Sequence, residues 1–396
     1  VTEYAFVAGR WDATLTVIDV DAALAGKAAI LNRVPTSASG ACALPVSIEI
    51  DRARGRIFVV NHGGRATPEA VAIMPHGHAG TIAVLDLAKA ISGAVDALIT
   101  EIDAGGHGPV ACTLTPDGAS LLVTLAEGAG TEDGGCEIAV FNADTLELKT
   151  RCALKHAGAP SGTPSPHESF GAFPNPNGIA IAADAGLVLT ANGGSNDVAV
   201  LRLSSVLAGA ADAEIGRIKL PSGAFGISVD PSGKRFVTAD REDAKTGRLG
   251  NTISLIGISP VVESPGSAPI ASTRVGTDDA NAQTRPFVPV FSKDGTQIYV
   301  TCQATGTLSA VDVGAAWAKN PAAAQHFKLD HPAGLAASPR GLALSADGSL
   351  LAVSGGTKSQ PESGVVWLIS TENFAARAVL QGVGNETYLI AMASFS

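Results

Sequence analysis

Apolar residues in this chain come in short bursts separated by turns bearing Asp, Gly or Pro, and the bursts recur in one fixed cycle. A first apolar strand runs into a tight turn, as in Pro45–Asp51 leading to Gly55 or Pro109–Thr115 leading to Asp117-Gly118. Further copies begin at Asn177-Gly178-Ile179, Phe225-Gly226-Ile227, Arg285-Pro286-Phe287 and Arg340-Gly341-Leu342, with turns ending at Gly186, Gly233, Gly295 and Gly348. Glycine at those ends supplies the positive φ that a tight hairpin requires. A second strand follows each turn: Ile57–Asn61, Leu121–Leu125, Leu187–Asn192, Arg235–Asp240, Gln297–Cys302 and Leu350–Ser354. A third comes after a loop: Thr81–Leu87, Glu137–Phe141, Asp197–Leu203, Thr252–Ile258, Thr307–Val313 and Val365–Ile369. A fourth, outer strand is weaker, as at Glu214–Leu220 and Ala324–Leu329, and short segments such as Asp86–Ser92 and Val313–Lys319 predict a helical turn before it.

The two ends of the chain complete the cycle. Tyr4–Gly9 and Thr14–Val20 have the pattern of second and third strands without a first, and Thr387–Ala393 has that of a first strand alone. The expected fold is therefore all-β: a seven-bladed β-propeller of four-stranded antiparallel blades. It forms one domain over residues 1–396, its ring closed by a blade shared between 1–40 and 385–396. Joining the ends hides sheet edges that would otherwise be open to pairing.

Second and third strands such as Ile298-Tyr299-Val300-Thr301 with Leu308-Ser309-Ala310-Val311-Asp312, or Phe58-Val59-Val60-Asn61 with Ile82-Ala83-Val84-Leu85-Asp86, resemble the YVTN family of propeller repeats. Phe58-Val59-Val60-Asn61-His62 also looks like a strand of paraoxonase-like lactonases. The resemblance implies a propeller. Similar propellers serve as surface-layer proteins, as lactonases acting on sugar-acid lactones, and as dehydrogenase subunits, so the fold leaves the activity open.

Composition narrows the partners. The net charge of -10, with Lys and Arg scattered singly, disfavours nucleic acid. No apolar run is long enough to span a membrane. The chain starts at Val1 and enters a strand pattern at once, which suits an exported, periplasmic or secreted protein, expected as a monomer. Cys136 and Cys152 flank a hairpin turning at Asn142–Thr145; placed opposite each other they would suit a disulfide, and two buried thiols are the alternative.

Candidate chemistry gathers in the long segments. His62–Gly80, Ala126–Gly135, His156–Pro176, Arg241–Gly250, Gly276–Thr284 and Gly355–Gly364 all belong to the connections expected on one face of a propeller. His62, His76, His78, His107, His156 and His167 fall in those connections or at their edges, and His76-Gly77-His78 is a His-x-His on one of them. His62, His76, His78, His107 and His167 form the pool for a divalent transition metal, Zn, Cu or Fe. Histidines that cap loops and face solvent are the plainer alternative. Asp240-Arg241-Glu242-Asp243 is acidic enough for Ca²⁺, a weaker expectation. His107, His167 and Glu168 are the candidate acid–base groups. Arg285 and Arg340, at strand starts around the central channel, are candidates to hold a carboxylate, with ion pairs between blades as the alternative. There is no Gly-x-Ser-x-Gly elbow, Walker loop, Cys-x-x-Cys or dinucleotide fingerprint.

Three functions follow as expectations. The first is a lactonase-like, metal-assisted hydrolase or lyase acting on a small carboxylated or cyclic ester substrate at the channel mouth. The second is a non-catalytic binding or surface scaffold of the YVTN type. The third is a redox or dehydrogenase-type subunit.

Overall fold

The computed structural model describes residues 1–38, 43–63, 79–128, 134–156, 173–243, 246–357, 360 and 362–395. These form two compact units: the described residues within 1–63, 79–104 and 328–395 make the first, those within 105–327 the second.

In the first unit, Thr387–Phe395, Thr2–Gly9, Thr14–Asp19 and Ile30–Pro35 form one antiparallel sheet in that order. Thr2 lies opposite Phe395, Tyr4 opposite Ala393 and Val7 opposite Ile390, so the two chain ends are neighbouring strands, as their patterns predicted. One face of this sheet presents Phe6, Leu15 and Val17 to Ile57, Val59, Ala83 and Leu85. The other presents Ala5, Val7 and Ile18 to Leu350, Ala352, Val366 and Leu368. Each methylene so covered contributes about 0.8 kcal/mol, which holds the terminal strands in place although a long chain separates them.

Burial changes with position in a sheet. Ile57–Val60 and Ile82–Leu85 are fully buried on both faces, which is why second and third strands read as continuous apolar runs. The outer strands Ile30–Pro35 and Ala376–Gln381 alternate or lie mostly exposed, so their apolar signal is weak. The predicted turn glycines Gly55, Gly118, Gly186, Gly233, Gly295 and Gly348 all adopt left-handed φ, between 62° and 82°. In three copies, at Asp19, Asp86 and Asp312, the third strand ends on an aspartate that caps the helical turn after it. Asp86 Oδ1 accepts from Lys89 N to cap Leu87–Ser92, and Asp312 does the same for Ala315 N at Val313–Trp317.

In the second unit the sheets pack in chain order. Ile138 and Val140 meet Val188, Ala199 and Leu201. Leu189 and Val200 meet Phe236 and Ile256, and Val237, Ile253 and Leu255 meet Ile298, Val300 and Val311.

Two details differ from the expected pattern. Among the described residues the strands form six hydrogen-bonded sheets: five have four strands and one has seven. The seven-stranded sheet arises because Leu98–Leu114 runs on as one strand of 17 residues, supplying both the outer strand expected before Gly105 and the first strand expected after it. The other difference concerns the cysteines. A left-handed Leu146 (φ 65°) and a bulge after Leu148 set Cys152 opposite Ile138, while Cys136 O accepts from Leu154 N. The thiols are thus offset along the hairpin and no disulfide joins them.

Candidate functional site

The first strands start from a strained residue in several copies of the cycle. Leu44, Asn175 and Arg285, each just before a proline, and Glu386 all have φ near 50°. Left-handed backbone in a residue with a side chain costs about 1–3 kcal/mol and persists only where its surroundings hold it. These strand starts, with the neighbouring ends of second strands, carry most of the candidate polar chemistry.

In the second unit, His107 sits between glycines near the middle of Leu98–Leu114, directly opposite Glu127 at the end of the second strand. The glycines are required by close approach: a Cβ on Gly106 would lie 2.5 Å from Leu125 Cδ1, and one on Gly108, at φ 54°, 2.4 Å from Glu127 Cγ. His107 lines a cleft of about 320 Å³ with Glu127, Cys136, Glu137, Arg151, His156 and Phe173. Both ring nitrogens of His107 are buried and neither has a hydrogen-bond partner among the described residues. Arg151 Nη1 lies 3.6 Å from Glu137 Oε2 and donates to Gly105 O at 3.2 Å. The His156 and Phe173 rings stack with centroids 4.8 Å apart. Counting Glu127, Glu137 and Arg151, the described charged groups of the cleft sum to one negative charge.

Elsewhere in that unit, Arg285 Nη2 donates to Glu242 Oε2 at 3.0 Å, and Arg241 Nη2 stands 3.5 Å from the same oxygen. The preceding Asp240 faces the interior and accepts from Thr238, Thr252 and Ser254 at 2.7–2.9 Å. Complete burial raises its carboxyl to about 7 despite those three donors. Two of the three carboxylates in the run expected to suit Ca²⁺, Asp240 and Glu242, thus have separate protein partners.

In the first unit, Arg340 is buried and spends its guanidinium within the protein. It donates to Gly356 O at 2.7 Å and to Glu386 Oε1 at 2.8 Å. Trp11 Nε1 donates to the other oxygen of Glu386. The guanidinium carbons of Arg340 and Arg10 lie 5.7 and 4.7 Å from the centre of the Tyr388 ring. This is the ion pair between neighbouring strand sets that was the alternative reading of Arg340. His62 is half-buried beside the second-strand end, its backbone N–H donating to Leu44 O. His331 is buried, with Nε2 2.9 Å from Ser363 O, and Ala333 N donates to its Nδ1.

Of the predicted site residues, His76, His78, His167 and Glu168 lie outside the described residues. His107 and His156 are brought to one cleft. Arg285 and Arg340 each have an acidic partner. Among the described residues, no group of three or more His, Cys, Asp or Glu side chains is disposed to hold a metal ion. Burial drives the Cys302 thiol up to about 12 and Cys152 up to about 11, so neither supplies thiolate near neutral pH. Glu127, Glu137 and Arg151 were not anticipated. Glu127 could have been found from its place at the end of a second strand before a long loop; Arg151, on an outer strand, carried no such signal.

No family model matches the chain, and no curated protein matches it in sequence. Solved structures do. The periplasmic gluconolactonase PpgL of Pseudomonas aeruginosa superposes with a TM-score of 0.68 at 15% identity, covering 100% of both chains. A candidate 6-phosphogluconolactonase of Bacteroides fragilis gives 0.64 at 12% identity, over 99% of this chain and 98% of that one. Hydrazine synthase of Kuenenia stuttgartiensis gives 0.55 at 17%, over 83% and 77%. At such identities the likeness concerns the fold alone, that of a β-propeller.

Proposed function

We propose that the chain is a lactonase-like hydrolase that opens a small, neutral cyclic ester in the His107 cleft. The observation that carries this reading is the pair of buried imidazole nitrogens with no described protein partner, lining a cleft beside two carboxylates and a guanidinium. An imidazole without a protein partner can take a proton from a water molecule once one is admitted beside it. The water oxygen bonds to the ester carbonyl carbon, the ring C–O bond breaks, and the proton held by His107 passes to the departing ring oxygen. The product is an open hydroxy acid. Arg151, about half exposed, is placed to support negative charge developing on the carbonyl oxygen. The net negative lining favours a neutral lactone over a carboxylated one and disfavours retention of the acid product. The gluconolactonase described for the P. aeruginosa neighbour has this reaction class, which supports the reading without assigning the substrate.

The wider proposal is one closed, seven-bladed ring of YVTN type in which Leu98–Leu114 serves two blades, working outside the cytoplasm. No helix among the described residues is long and apolar enough to cross a membrane. A Zn, Cu or Fe ion held by the histidine pool belongs to the proposal only as far as the sequence carries it, because three of its five histidines lie outside the described residues. Elemental analysis of the purified protein tests that part.

Hydrolysis of δ-gluconolactone and simpler δ-lactones, followed by proton release, tests the rest. His107→Asn is expected to lower kcat/KM by about 10²-fold or more, the usual weight of a general base. A wild-type protein inert to lactones, or a variant as active as wild type, would overturn the reading.

A further inference from the structure

Away from the His107 cleft, the second unit fastens a loop through a histidine that the proposed reaction does not use. The loop follows the outer strand Ile270–Arg274 and leads to Arg285. Its neck is tight. Gly276 has a left-handed φ of 92°, and a Cβ there would lie 2.6 Å from Thr284 Cβ and 3.1 Å from Cys302 Cβ. Both backbone groups of Gly276 are spent on the strand Thr307–Asp312 of the next sheet. Gly276 N donates to Ser309 Oγ at 2.9 Å, and Thr307 Oγ1 donates to Gly276 O at 3.2 Å. Farther along the loop, Asn251 Nδ2 donates to Ala280 O and Ala282 O.

Ser309 is wholly buried, and its Oγ lies 2.9 Å from Nδ1 of His326 on the outer strand Ala324–Lys328. The other ring nitrogen, Nε2, lies 3.6 Å from Oδ1 of Asp278, a loop residue whose side chain is 98% exposed. The imidazole thus holds the loop twice, through Ser309 at the Gly276 backbone and directly at Asp278. A serine hydroxyl has one proton to give. While His326 is neutral with its proton on Nε2, toward Asp278, the bare Nδ1 accepts the Ser309 proton and Ser309 Oγ receives the Gly276 N–H. Once the ring is protonated, its Nδ1–H and the Gly276 N–H both point at one oxygen, and the hydroxyl proton must turn elsewhere. Cys302 is in hydrogen-bonding contact with Ser309, but sulfur is a weak acceptor.

The charges around His326 do not reverse this. Asp278 favours the protonated ring, but across solvent, where such attraction is weak. Burial outweighs it and holds the His326 pKa below its ordinary value. In the loop, Asp279 accepts from Asn281 N. The outer strand Ile270–Arg274, packed against the same apolar cluster as Ala324, brings Arg274, whose Nη1 donates to Asp278 O. On the adjoining strand Asp312 caps Ala315 N, and Lys328 is exposed two residues along the strand of His326 itself.

We propose that Ser309, His326 and Asp278 form a pH-sensitive latch on the loop from Gly276 to Thr284, closed while the imidazole is neutral and released at the Gly276 neck when acid protonates it. Opening returns His326 to water, where it binds a proton with ordinary affinity, so protons favour the open state. The latch is at full strength above the ordinary histidine value of 6.5, weakens as pH falls below it, and is lost once pH passes the lower value of the closed form. The Asn251 bonds do not titrate, so acid frees the neck and leaves the far side of the loop attached. The latch stands whether or not the His107 cleft hydrolyses lactones.

Hydrogen exchange of the whole chain, followed in peptides spanning residues 275–284 and corrected for the intrinsic chemical rate, tests this. Protection is expected to fall about twofold to tenfold from about pH 8 to about pH 5, the worth of one hydrogen bond. His326→Gln offers Ser309 an amide oxygen and cannot be protonated. It should keep the protection seen at the higher pH and hold it at the lower. Proton NMR of the His326 ring in the wild-type chain needs no variant, and its midpoint is expected below 6.5. Protection of the loop that is independent of pH, an equal fall in His326→Gln, or a ring midpoint at or above 6.5 would each overturn the proposal.

Discussion

Two edges of the molecule make the same kind of structure and use it in opposite ways. At the start of Thr387–Phe395, Glu386 and Arg340 meet across neighbouring strand sets, 7–9% exposed, with Trp11 and the Gly356 carbonyl completing their hydrogen bonds. At the corresponding place in the second unit, His107 has glycine on either side and Glu127 opposite, and its ring nitrogens have no described partner. The first arrangement closes its polar groups on one another, and the second leaves them for something else. A propeller-type sheet edge is thus a fixed location, and whether it works as a fastening or as a site depends on whether the protein itself fills the hydrogen-bonding capacity brought there.

That contrast can be broken by substitution. The largest effect is expected from Arg340→Met. It strands the Glu386 carboxylate in a buried position, and loss of one partner of a buried pair costs about 3–5 kcal/mol, read as a fall in the denaturation midpoint. A midpoint within experimental error of wild type would show that the pair is not a fastening. His107→Asn should do the reverse, sparing the midpoint to within about 0.5 kcal/mol while lactone hydrolysis falls. A large loss of stability there would make His107 structural and erase the difference between the edges.

The buried carboxyl of Asp240 sharpens the comparison through pH. Its folded pKa, about 7, lies above the ordinary value of 3.8, so between those values the folded chain holds a proton that the unfolded chain releases. This contribution is complete below about pH 4, declines as pH rises toward 7, and is gone above it. Asp12, also raised by burial, acts in the same direction, and Asp230, held low by Ser232 and Arg235, acts against it. Asp240→Asn should therefore flatten the fall in stability between pH 4 and 8, measured as urea midpoints across that range. An unchanged slope would mean that Asp240 titrates normally. The smallest effect is expected at a helix start: Asp312→Ala removes the cap on Ala315 N and should cost about 1 kcal/mol without altering activity.

The repeat was legible because its cause is local. Turn glycines need positive φ, capping aspartates need a free N–H three residues on, and doubly covered strands need uninterrupted apolar runs; each requirement leaves its mark in a few adjacent residues. The pairing of the chain ends could also be read, since each end lacked what the other had. The number of sheets could not, because nothing in the residues around Gly105 and Gly106 announces that one strand passes straight through. The cysteine register was lost for a similar reason: one left-handed leucine and one bulge displace the hairpin partners without changing the pattern.

The sequence by itself determined the strand cycle, the turns and caps, and the edge of the sheets where histidines and arginines would fall, all consequences of short-range sterics and hydrophobic periodicity. Only the tertiary structure decided which of those groups are spent. Arg340 is consumed by Glu386, and Arg285 shares Glu242 with Arg241. His107 is left with two buried ring nitrogens that have no partner among the described residues. Satisfaction of a buried polar atom depends on what other strands bring within hydrogen-bonding distance, and that distance is set by packing between residues far apart in the chain.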